Sequence, residues 1–151
     1  MRSRRFLALL ALTQALPQFA LAQGDCLDNT GHPNVQYSRV WEQLGQRLNA
    51  QKMKALEGSY LILSDTIKIA TLTPDGAYQF TEQVCSQTPC KTVNKGQGTY
   101  RAAPGTGGGT FFMIRFSDAE RTNVCETHQV ESETEQVFVM ENGETWIKWK
   151  R

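Results

Sequence analysis

The sequence predicts a mainly β fold: an antiparallel up-and-down barrel of about eight strands preceded by one N-terminal α-helix. Three observations carry that expectation. Over residues 56–84, β-branched and aromatic residues dominate three short runs joined by turn residues, as half-buried strands require. Similar runs recur to the end of the chain at the short spacing of antiparallel sandwiches and barrels. Over residues 35–56 the apolar period lengthens from two to three or four, which is the period of a helix.

In chain order, residues 1–22 read as a secretory signal peptide. Arg2, Arg4 and Arg5 form the basic start, residues 6–12 the apolar centre, and Ala20-Leu21-Ala22 a small-x-small cleavage site before Gln23. The apolar centre is too short to span about 30 Å of hydrocarbon, and Thr13, Gln14, Pro17 and Gln18 interrupt it. No transmembrane segment is expected here or elsewhere. With no cysteine at the cleavage point, no lipid anchor is expected either. The protein is therefore expected to be exported, periplasmic or secreted. Residues 23–151 have the size of a single domain, divided into an N-terminal segment with the helix (23–57) and the barrel (58–151).

Without Arg2, Arg4 and Arg5, 13 basic residues face 15 acidic ones, a net charge of −2. That balance argues against a general binder of nucleic acid. Four cysteines remain: Cys26, Cys85, Cys90 and Cys125. An even count in an exported chain implies disulfides, with three pairings open. The Ser86-Gln87-Thr88-Pro89 loop can bring Cys85 and Cys90 together, leaving Cys26 to tie the N-terminus to Cys125. The C-x4-C spacing with isolated outliers does not suit a zinc site, so no metal is expected.

The helix is expected over residues 35–56, with Tyr37, Val40, Trp41, Leu44, Leu48 and Met53 on one stripe and Asn34 as its cap. Trp41 is expected to pack, largely buried, against the barrel. The first strands follow, with Thr73-Pro74-Asp75-Gly76 as a turn and residues 64–66 as a second short link. Later strands are expected at 98–101, 111–116, 124–130, 136–140 and 146–151, with Asn142-Gly143 joining the last two. The alternation supplies four inward rows: Ile67/Ile69, Tyr78/Phe80, Phe112/Ile114 and Ile147/Trp149.

Chemistry is sparse. The glycine-rich stretch 104–110 lacks the Lys-Ser/Thr of a phosphate-binding loop and opens no helix. Glu131, Glu133 and Glu135 lack the aspartate-rich partner loop of a calcium site. His32 and His128 are the two candidate neutral-pH bases. No serine sits in a nucleophile elbow. The chain is not expected to be an enzyme, and no catalytic residue or cofactor is assigned. Glu82 shares a face with Tyr78 and Phe80, and Arg115 shares one with Phe111 and Met113. An inward charge must be paired or wet, as the wall of a ligand cavity would be.

The pattern resembles the lipocalin-like group of small secreted β-barrels. The residues that carry the resemblance are Gly58-Ser59-Tyr60 opening the first strand, the Pro74-Asp75-Gly76 hairpin, Gly98-Thr99-Tyr100, and the final strand at 146–151. The family's first strand opens Gly-x-Trp, and an arginine of the last strand packs across that ring. Tyr60 stands at the tryptophan position here, and Arg151 is the candidate arginine. The resemblance covers residues 56–151. It implies an up-and-down barrel with an apolar ligand inside and no catalytic residues.

Two functions follow as expectations. The leading one is an exported binding protein for a small apolar or amphipathic molecule. That molecule enters beside the 104–110 loop, contacts Tyr78, Phe80 and Phe112, and turns its polar end to Glu82 or Arg115. The rival is a secreted protein-interaction module or enzyme inhibitor with a filled barrel and an active outer surface. A large cavity lined by Tyr78, Phe80 and Phe112 would favour the first, and a filled interior with an exposed aromatic patch the rival.

Overall fold

The computed structural model describes residues 23–151 apart from 64–65, 87, 106–107 and 150–151. The expected signal peptide, part of the 64–66 link and Arg151 lie outside the described residues. Nine strands and two helices are described: β1 (Gly24–Asp25), α1 (Val35–Gln46), α2 (Ala50–Leu56), β2 (Gly58–Leu63), β3 (Ile67–Leu72), β4 (Ala77–Val84), β5 (Lys91–Pro104), β6 (Thr110–Ser117), β7 (Val124–Glu133), β8 (Val137–Met140) and β9 (Thr145–Trp149).

Strands β2 to β9 each pair antiparallel with the next, and β9 pairs back on β2, so eight strands close an up-and-down barrel. Closure removes the open edges on which other chains could add a strand. The Thr73-Pro74-Asp75-Gly76 turn forms as its composition predicts, with Gly76 at φ +93°, a conformation glycine adopts without penalty. Strand β5 is much longer than the expected 98–101. It is paired along its length by β4 and β6, although its polar first half carries no apolar alternation.

The expected single helix is two. Asn49 begins the second, its Oδ1 accepting the Lys52 N–H at 3.0 Å, just as Asn34 Oδ1 caps the first through Gln36 N–H at 3.1 Å. The break at residues 47–49 leaves Leu48, expected on the stripe, 51 % exposed. Helix α1 lays Tyr37, Val40 and Leu44 on the outward side chains Ala103, Met113 and Cys125 of β5, β6 and β7. Helix α2 carries Met53 and Leu56 into the interior cluster, where the Tyr60 hydroxyl donates to the Leu56 carbonyl at 2.5 Å. The cysteines pair as Cys26–Cys125, which fastens β1 to β7, and Cys85–Cys90, which closes the β4–β5 loop.

Two of the four expected inward rows point inward: Tyr78/Phe80 on β4 and Phe112/Ile114 on β6 are buried. The other two are corrected. Ile147 and Trp149 are 38 % and 51 % exposed, and the inward residue of β9 is Trp146. On β3, Ala70 and Leu72 are inside, with Lys68 in phase with them, while Ile67 and Ile69 lie outside. The reason is register. Tyr60 pairs with Ala70 and Ile62 with Trp146, so Leu61, Ile69 and Ile147 share the opposite face. A shift of one residue exchanges the two faces. The inward phase carries a lysine on each strand, Lys68 on β3 and Lys148 on β9, so side-chain polarity marks the wrong face as the outside.

Candidate functional site: a filled barrel and its outer wall

The interior is occupied by side chains. Trp146, Tyr60, Tyr78, Tyr100, Phe112 and Phe138 are all less than 2 % exposed and belong to one buried cluster. Their rings interlock: Trp146 lies 5.6 Å from Tyr60, 5.7 Å from Phe112 and 5.4 Å from His128. Eight strands enclose an interior that side chains of this size can fill.

Of the expected ligand-contacting residues, four face inward. Tyr78 and Phe80 touch at 5.9 Å, Glu82 follows on the same face and accepts a 2.5 Å hydrogen bond from Thr66, and Phe112 stacks on His128 at 4.9 Å. Arg115 stands apart from them. It is on the outer wall, exposed, with its guanidinium 5.1 Å from the Trp41 ring centre. Trp41 itself is partly rather than largely buried. It lies between Arg115 and Arg101, whose guanidinium is 4.4 Å from the same ring and donates to the Trp41 carbonyl at 2.8 Å. Guanidinium stacking replaces part of the apolar cover expected for this tryptophan.

The interior also holds a polar pair not expected from the sequence. Val124, Glu126, His128 and Val130 alternate along β7 and all face inward, a period of two that was readable in the sequence. Glu126 and His128 are 8 % and 5 % exposed, and His128 Nε2 lies 3.3 Å from Glu126 Oε2. Gln23 Nε2 donates to Glu126 Oε1 at 2.7 Å. Among the described residues, His128 Nδ1 and the Tyr78 hydroxyl have no hydrogen-bond partner. Burial pushes the Tyr78 hydroxyl well above the usual tyrosine value.

Burial also raises the pKa of Glu126, but the His128 hydrogen bond and the charges of Lys68, His128 and Arg121 outweigh it and hold the carboxyl below its ordinary 4.5. A depressed carboxyl adds stability that is complete above the unfolded pKa and lost as pH falls through the folded one. Urea unfolding of the wild type is therefore expected to show a loss of stability below about pH 4.5 that is smaller in Glu126→Gln. Parallel acid limbs in the two proteins would contradict this placement of Glu126.

The outer wall has two unlike sides. Helix α1 covers part of β5 and β6. On the side formed by β3, β2, β9 and β8 the outward positions are Ile67 and Ile69, Leu61 and Leu63, Ile147 and Trp149, and Val137 and Val139, joined by register Leu61–Ile69, Leu61–Ile147 and Val137–Ile147. Between them stand Ser59, Thr71 and Thr145, so among the described residues this face carries no charged side chain. Leu63 is 56 % exposed. At the strand spacing and rise of a sheet, the face measures roughly 19 Å by about 16 Å.

Among the described residues no three His, Cys, Asp or Glu side chains converge as a metal site, and no helix is long and apolar enough to cross a membrane. Glu133 is engaged by Thr110 at 3.1 Å and Lys52 at 3.7 Å. His32 lies in an exposed turn, its N–H bonded to Asp28. Compared with known proteins, the chain matches no family model, no curated protein and no solved structure.

Proposed function

We propose that this protein is an exported, lipocalin-like barrel that works as a protein-interaction module, docking a partner on the apolar face of β3, β2, β9 and β8. The observation that carries the reading is the pair of apolar rows, Ile67/Ile69 and Ile147/Trp149, turned outward on a barrel whose interior is occupied. Contiguous exposed apolar surface of roughly 300 Å² or more commonly marks an interaction site. The described residues of the face are uncharged, so the area that meets them on the partner is apolar and uncharged too. Among its described residues a nucleic acid finds no cation, and a lipid surface finds none of the basic residues that usually support interfacial binding. A protein partner fits. Two disulfides and the leader-like residues 1–22 support an oxidising destination outside the cytoplasm.

The test is native mass spectrometry and sedimentation of the protein purified from its own source, beside a Leu61→Lys/Ile147→Lys variant. The wild type is expected in a defined complex with a protein, a second copy being one outcome. The variant is expected to keep its melting temperature and run free. Identical free monomers would overturn the docking face. One observation favours a second reading, a small amphipathic ligand inside the barrel: the buried Tyr78 hydroxyl and His128 Nδ1 have no hydrogen-bond partner among the described residues, and a ligand's polar end would meet them. A retained small molecule in the same spectra, weakened by Tyr78→Phe, would carry that reading instead.

A further inference from the structure

We propose a second binding site, independent of the docking face, for a short neutral oligosaccharide on the outer surface of β4, β5 and β6. Two clefts of about 580 Å³ and 340 Å³ adjoin there and share Gln97 and Ser117. Both are shallow and open to solvent, which suits a ligand laid along the surface rather than enclosed. Register sets their lining as a grid. Gln79 pairs with Gln97 and Gln97 with Ser117 in one row, Thr81 pairs with Lys95 in the next, and Thr99 pairs with Arg115 on the other side.

Gln79, Thr81, Gln97 and Thr99 line the clefts, and their side chains make no hydrogen bond to another described residue, which leaves their donors and acceptors available to a ligand. The wall beside them is held in place. Asp118 accepts from Glu120 N–H at 3.0 Å, from Arg121 N–H at 2.7 Å and from the Arg121 guanidinium at 2.8 Å. Asn94 Oδ1 accepts from Ala119 N–H at 3.3 Å. Asn123, at the rim of the smaller cleft, sits at φ +56°, a left-handed conformation that asparagine tolerates. A wall ordered in advance lowers the cost of binding.

The chemistry of the lining selects the ligand. A sugar hydroxyl donates and accepts at once. The Gln amide supplies both functions in one plane, and the Thr and Ser hydroxyls supply both on one atom. A chain of hydroxyl-bearing rings can therefore engage such a grid throughout. An extended peptide is a poorer fit, because strand addition needs an open edge and specificity needs side-chain pockets, whereas this barrel is closed. A polyanion is poorer still. The cations are Lys95 and Arg115, and Arg115 is drawn onto Trp41 at 5.1 Å.

The experiment is an amide NMR titration of the disulfide-intact protein with chitotetraose, cellotetraose and maltotetraose, each to about 10 mM, beyond the millimolar range of weak sites. At least one is expected to shift Gln79, Lys95, Gln97 and Ser117 saturably. Loss of two hydrogen-bonding amides in Gln79→Ala/Gln97→Ala is expected to weaken binding about tenfold with no change in melting temperature. The Leu61→Lys/Ile147→Lys variant is expected to bind the sugar normally, which separates this site from the docking face. The proposal is overturned if no sugar gives saturable shifts, if the double alanine variant binds as the wild type does, or if an uncharged Gly-Ser peptide gives the same shifts at the same concentrations.

Discussion

Removing the Cys26–Cys125 disulfide, as Cys26→Ala/Cys125→Ala, is expected to lower the unfolding free energy by about 4–5 kcal/mol. The bridge joins residues 99 apart, and chain entropy assigns about 4.7 kcal/mol to closing a loop of about 100 residues. Both sulfurs are enclosed, with Cys26 4 % and Cys125 1 % exposed, in the cluster that seats α1 on the barrel. The same bond holds β1 in register with β7. The Cys85–Cys90 bridge spans 5 residues, for which the same relation gives roughly 2 kcal/mol, and both of its cysteines are exposed. Mild reductant is therefore expected to open Cys85–Cys90 first. Urea unfolding of the two double-alanine proteins measures the difference. A loss from Cys26→Ala/Cys125→Ala no larger than from the other pair would refute the entropic argument. Since small domains carry about 5–15 kcal/mol in total, the long-range bridge accounts for a large share of what holds this fold.

The second large effect separates the two faces of one strand. Trp146→Ala is expected to cost about 3–5 kcal/mol, as for other core aromatics. Trp146 is 1 % exposed and is shared by Tyr60, Phe112 and His128. Its indole N–H donates to Glu144 at 3.2 Å. Trp149, three residues on, lies on the outer wall and is 51 % exposed, so Trp149→Ala is expected to change stability by only about 0.5 kcal/mol. Equal losses at the two positions would mean that β9 presents its faces the other way round. The apolar docking face would then fail with it, since Ile147 would be inside.

Much of the architecture was legible from local signals. The Pro74-Asp75-Gly76 and Asn142-Gly143 turns, the strand-forming runs between them and the 3.6-residue period around Tyr37, Val40 and Leu44 each act over a few residues, and each formed where its chemistry predicts. The even cysteine count predicted disulfides, and the six residues from Cys85 to Cys90 kept one pairing within reach. The helix break was legible in principle. Asn49 is a capping residue with helix formers behind it, but the apolar stripe running through Leu48 to Met53 concealed it.

What the sequence determined by itself is an eight-stranded antiparallel β architecture with a helical prelude and an oxidised cysteine framework, because turn chemistry, strand propensity and cysteine count are local quantities. Only the tertiary structure decided which side of each strand faces in. On β3 and β9 the outward phase is the more apolar one and the inward phase carries Lys68 and Lys148, so periodicity pointed to the wrong face, and the right one came from pairing with β2, where Tyr60 and Ile62 set the phase. The same long-range registers placed Glu126 and His128 inside, Arg115 outside against Trp41, and the Gln79–Gln97–Ser117 row on the outer wall. Those contacts join residues that lie far apart along the chain, and closing the barrel brought them together.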